Sequence, residues 1–276
     1  MTTQLTSLPG RSRLRGVAGV TAVLAALVAI NLTANLAGLP FREWIVPLAV
    51  LVLVVVAKAR WMRWSDLGLA ARHMPRGLAY GLAATVMVAG VVTAGCLIPV
   101  TSPFFLSERY SDLRMAVFSA LVLIPLMTVL PEEFAFRGVL QGALERTFGT
   151  TGVFVIGSLA FGLWHVTSSL GLTAGNAGLA DVLGTGVVGQ VAGIGLAVAA
   201  TSVAGAGFIW IRRRSNSLLA PIGLHWAFNA VGALAAALTW RALAGLSPPT
   251  SPRRPGRRTP PSRRAAGSPS AVRRVR

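Results

Sequence analysis

The order of apolar and polar positions sets the first expectation. Long charge-free runs dominate the chain, and none alternates as a half-buried strand would. Residues 16–39, 77–100, 182–211 and 218–238 each carry enough apolar length to cross a hydrocarbon core of about 30 Å, or roughly 20 helical residues. Residues 44–57, 115–130 and 149–168 read as further spans. The predicted fold is an all-α, polytopic transmembrane bundle of about seven or eight spans. Residues 1–15 form a basic N-terminus, 16–114 the first membrane helices, 115–240 a helical core and 247–276 a disordered tail. A barrel is disfavoured because the runs are continuously apolar.

Charge refines this picture. Charged residues make up only 12% of the chain, about half the share of a soluble domain. The net charge of +18 sits in the flanks and the tail. Arg11, Arg13 and Arg15 precede the first span, the stretch from Lys58 to Arg76 separates two others, and Arg212–Arg214 stop another. Such flanks mark topology and attract anionic lipid, so the bilayer is the expected partner and nucleic acid is not. A multi-pass protein of a bacterial inner or plasma membrane is expected, with residues 1–15, 58–76 and 212–214 on the cytoplasmic side. Seven spans would then place the arginine-rich tail outside, against the usual bias. Cys96 is the one cysteine, which excludes an internal disulfide framework.

The exception to this apolar pattern is Pro131-Glu132-Glu133-Phe134-Ala135-Phe136-Arg137-Gly138. The chain has eight acidic residues, and two adjoin here behind an apolar run. Ionisable groups at membrane depth are costly and need a partner or a task. Pro131 cannot donate to the carbonyl of Met127, so a kink or loosened turn is expected. His165 and His225 lie in two other spans, each sharing a face with a residue four positions away, Phe161 and Asn229. Glu133 and Arg137 have the same spacing in the favourable order for a pair.

A carboxylate that takes a proton from water, a histidine that orients the water, and a histidine–asparagine pair facing an oxyanion together allow amide hydrolysis. Two histidines and a carboxylate could instead hold zinc, although the compact His-Glu-x-x-His motif is absent. Each part also has a plainer reading. A single intramembrane histidine can be a packing residue, Phe161 reads first as core, and Glu133–Arg137 reads first as structural. Glu132 resists that reading, because one arginine cannot easily satisfy two buried acids.

These three motifs, Glu132-Glu133-x-x-x-Arg137, Phe161-x-x-x-His165 and His225-x-x-x-Asn229, resemble the signature of the CPBP family. That family holds type II CAAX prenyl proteases and bacteriocin-processing or Abi-type membrane peptidases. Phe136-Arg137-Gly138, the phrase Ser217-Leu218-Leu219-Ala220-Pro221 and Asp66-Leu67-Gly68-Leu69 are similar too. The resemblance implies an intramembrane endopeptidase acting on a membrane-associated peptide or protein. In it Glu132 is the general base, His165 holds the water, and His225 with Asn229 stabilises the oxyanion. Glu133, Arg137 and Phe161 support the site. Metal-free catalysis is expected, with zinc as the rival. A non-catalytic immunity or scaffold protein of the same fold and a proton-coupled transporter are the other classes, and the internal symmetry of the latter is not visible.

Overall fold

The computed structural model describes residues 9–246, so the expectations for residues 1–8 and for the tail 247–276 lie outside the described residues. Helices make up the described chain, in the order α1 (Pro9–Leu36), α2 (Arg42–Arg60), α3 (Met74–Leu97), α4 (Leu113–Phe118), α5 (Leu130–Glu133), α6 (Gln141–Trp164), α7 (Ala177–Leu183), α8 (Val187–Ser215) and α9 (Leu219–Leu246). Among the described residues the one β pairing is an isolated antiparallel bridge between Ser107 and Asn176.

Leu113–Trp164 is one continuous helical stretch that breaks direction at Gly149, where φ is 64° and ψ is −162°. Around the acidic motif its winding loosens. Ser119–Val129 and Phe134–Leu140 are π-helical, and the four residues of α5 lie between them. The loosened turn expected at Pro131 is therefore present, and it spreads to both sides of the proline. Five stretches among the described residues are long and apolar enough to cross a membrane: Arg13–Leu36, Ala71–Leu97, Leu113–Trp164, Val187–Ser215 and Leu219–Leu243. The expected seven or eight counted α2 and the two arms around Gly149 separately.

Several boundaries differ from expectation. Arg42 and Glu43 are the first turn of α2, not a connecting turn. Val182 belongs to α7, and α8 starts only at Val187, because Gly184 breaks the run at φ 76°. His165 is not inside a helix; it caps the end of α6. Arg241 does not end α9, which continues to Leu246 with that arginine exposed.

The bundle wears its apolar side chains outward as well as inward. Leu48, Val52, Val86, Leu126, Leu159 and Val203 are all exposed. A surface this apolar is what lipid, rather than water, solvates. One end is basic: Arg15 and Gly16 line a common cavity with Trp61 and Arg146, and Lys58 lies over the exposed ring of Trp64. α9 begins at that end and finishes at the other, where Trp240 donates to the Ser107 carbonyl (3.1 Å).

Backbone contact sets the position of α9. A Cβ on Gly223 would stand 2.7 Å from the Gly81 Cα, so α3 and α9 cross with nothing between them. Thr85 Oγ1 reinforces the crossing by donating to the carbonyls of Gly81 (2.9 Å) and Gly223 (3.3 Å). Close approach through small residues is how helices associate where water does not drive them together. Trp226 then donates to the Ala120 carbonyl (2.8 Å), tying α9 to the first π-helical segment. These two contacts bracket His225.

Candidate active site

The two acids of the motif have opposite surroundings. Glu133 is wholly buried, and its Oε1 is shared by Arg137 Nη1 (3.1 Å) and His225 Nδ1 (2.8 Å). Its Oε2 has no hydrogen-bond partner, and neither has Oε2 of Glu132, which is also buried and makes no hydrogen bond to another described side chain. Facing Oε2 of Glu132 are His165 Nε2 at 4.0 Å and His225 Nε2 at 3.9 Å. The paired acids and both imidazoles thus converge from three elements.

The ring nitrogens can be assigned from their partners. His165 Nδ1 lies 2.8 Å from the Phe161 carbonyl, which can only accept, so Nδ1 carries the proton. His225 Nδ1 faces the carboxylate of Glu133, itself paired with Arg137, so it also donates. In their neutral forms both rings therefore turn an Nε2 lone pair toward Glu132. Three acceptors face one another with no donor between them, across distances too long for direct hydrogen bonds. A polar gap of this kind is filled by a donor such as water.

Arg137 is held mainly by rings. Its guanidinium carbon is 3.9 Å from the Phe161 centroid and 4.5 Å from that of Phe208. The aromatic faces and Glu133 together compensate a charge that is almost completely buried. Phe161 also meets His165 edge-on at 4.7 Å and His225 at 5.8 Å. It is a core residue, as first read, and at the same time the common neighbour of both histidines and the arginine.

Asn229 sits one turn beyond His225 and donates Nδ2 to that residue's carbonyl (3.1 Å). One of its two amide hydrogens is thereby engaged within its own helix. Two features of the cluster were not visible in the motifs. Spacing along the sequence pointed Glu133 only to Arg137, whereas the fold adds His225 from a distant helix. Phe208 stacks on His225 at 5.0 Å with 23° between planes, but it lies outside the three motifs, with Gly207 and Ile209 beside it. Among the described residues, no three His, Cys, Asp or Glu side chains stand in metal-ligating proximity.

Comparison with known proteins agrees with the motifs. Residues 114–231 match the family model described as type II CAAX prenyl endopeptidase Rce1-like. That interval contains Glu132, Glu133, Arg137, Phe161, His165, His225 and Asn229. No curated protein and no solved structure matches the chain. The match supports the CPBP resemblance and, at the level of the family, an intramembrane protease of the CAAX type. With its apolar helices, the chain is an integral membrane protein.

Proposed function

We propose, proceeding from that family match, that the chain is an intramembrane endopeptidase that hydrolyses a peptide bond of a membrane-associated peptide or protein with a water activated by Glu132. The observation that carries this reading is the buried, unpartnered Oε2 of Glu132 facing two imidazole Nε2 atoms at 4.0 and 3.9 Å. A water placed there donates to the carboxylate and to His165. Glu132 takes a proton as the water attacks the substrate carbonyl, and the resulting carboxylic acid returns it to the leaving amine.

His225 has a different task. For this task Nε2 takes up a second proton from bulk water, so that with Glu133 held on Nδ1 the ring offers an N–H there in place of its lone pair. Its Nε2–H, together with the amide hydrogen of Asn229 not used within α9, would face the developing oxyanion. Arg137 pairs with Glu133 (3.1 Å), and the rings of Phe161 and Phe208 keep Arg137 in place. Glu133, Arg137 and Phe161 are therefore positioning residues.

Zinc is the competing use of the same atoms, with Glu132, His165 and His225 as its ligands and Lewis-acid activation of the water as its contribution. Ligands about 2.0–2.1 Å from a tetrahedral zinc lie about 3.3–3.4 Å from one another. Two groups each about 2.8 Å from one water lie about 4.0–4.6 Å apart. The observed 3.9 and 4.0 Å fit the shared water better.

The test is cleavage of a membrane peptide library by the purified protein in liposomes. Glu132→Gln should lower the rate about 10²–10⁴-fold, the usual weight of a general base. A Gln variant as fast as the natural protein would remove the assignment. Activity should survive strong chelation, and a loss that zinc restores would instead establish the metal.

A further inference from the structure

The loop carrying Asp66-Leu67-Gly68-Leu69 takes no part in the chemistry above, yet it builds a second polar site at the basic end. Leu67 is completely buried and anchors the loop in the core. Gly68, at φ 80°, occupies a backbone conformation that side chains rarely adopt. The guanidinium of Arg212 occupies the space a Cβ on Gly68 would fill. Arg212 Nη2 donates to the Asp66 carbonyl (3.3 Å), while its Nε has no hydrogen-bond partner. Arg212 is only 7% exposed, and it lines a cavity of about 380 Å³ with Asp66, Arg72, His73, Glu145 and Arg146.

Both acids on that wall are already committed. Asp66 Oδ2 accepts from the Arg63 backbone N–H (2.6 Å) and pairs with Arg146, and Glu145 pairs with Arg213. Arg72 is exposed on the wall and contacts only the neighbouring His73 ring through Nε (3.0 Å). A buried guanidinium with an unused N–H, an exposed arginine lining the same cavity and paired carboxylates suit the cavity to an anion. The planar fork of arginine matches the oxygens of a phosphate. The cavity opens at the basic end of a membrane bundle, where headgroup phosphates are concentrated.

We infer that this cavity is a phosphate-binding site in which Arg212 and Arg72 hold the phosphate of an anionic phospholipid headgroup or free inorganic phosphate. The site is separate from Glu132 and does not depend on the proposed peptidase activity.

The experiment uses the purified full chain in neutral detergent, titrated with phosphatidylglycerol or phosphatidylcholine, with bound lipid counted by native mass spectrometry. Phosphatidylglycerol should be retained over phosphatidylcholine. Arg72→Gln should weaken its binding about fivefold, the weight of one basic side chain near an anionic surface. Arg212→Lys should weaken it about tenfold, because a point charge replaces the fork. Arg214→Gln, an exposed arginine outside the cavity, should leave it unchanged. If Arg212→Lys fails to fold, Arg72→Gln against Arg214→Gln decides alone.

Inorganic phosphate is the second arm. If millimolar phosphate displaces the lipid and raises the melting temperature, the site takes free phosphate. If lipid binds and phosphate does not compete, it takes the headgroup; either result supports the site. An equal loss in Arg214→Gln, or no preference for phosphatidylglycerol together with no effect of phosphate, overturns it.

Discussion

Two charged clusters share the arm from residue 113 to 148, and they are built on opposite terms. At mid-bundle, Glu132, Glu133 and Arg137 are buried, and Oε2 of each carboxylate is left without a hydrogen-bond partner. From Glu132 to Glu145, about 20 Å of helix at 1.5 Å per residue, the surroundings change to exposed pairs between Glu145 and Arg213 and between Asp66 and Arg146. In the outer cluster both acids are matched. An exposed pair tethers elements weakly and is screened by salt, whereas a buried acid without a partner persists at a cost. An unmet acceptor inside a bundle is therefore a better pointer to chemistry than any number of satisfied pairs at its end.

Stability measurements can break this contrast, beginning with the largest effect. Glu133→Gln strands the buried Arg137 charge and loosens His225, so it should cost about 3–5 kcal/mol in equilibrium unfolding in detergent. A loss under 1 kcal/mol would mean that the aromatic faces alone hold Arg137. Gly68→Ala forces a Cβ into the Arg212 guanidinium at a positive φ, and it should cost about 1–3 kcal/mol. Glu132→Gln removes a buried charge that has no partner. It should be neutral or stabilising by about 1 kcal/mol while activity collapses. Finally, Arg213→Gln should change stability by less than about 1 kcal/mol, and less still at high salt. An outer-cluster effect as large as that of Glu133→Gln would erase the distinction between the two clusters.

The sequence made the long helices legible because runs such as Val187–Ser215 have no competing pattern. It also made Glu132, His165 and His225 legible, since an ionisable residue inside such a run stands out. What it hid depends on distance or on local geometry. The bond from Glu133 to His225 joins residues far apart in the chain, and no spacing rule reports it. Phe208 is invisible for the same reason, one aromatic among apolar neighbours. The ends of α8 and α9 depart from the apolar pattern for a simpler reason. Gly184 looks like any small residue of a packed helix until its φ is known, and Arg241 can remain helical by extending its long side chain out of the bundle.

The π-helical winding on both sides of α5 has one more consequence. Each wide turn holds more residues than an α-turn, so Ser119–Val129 stores slack in register. Deleting a single residue there would let the segment tighten, swinging everything upstream by about 100° relative to the carboxylates. The acids would keep their neighbours while α4 turned a new side to the lipid. The spelling of this stretch is thus tuned in length as well as in chemistry.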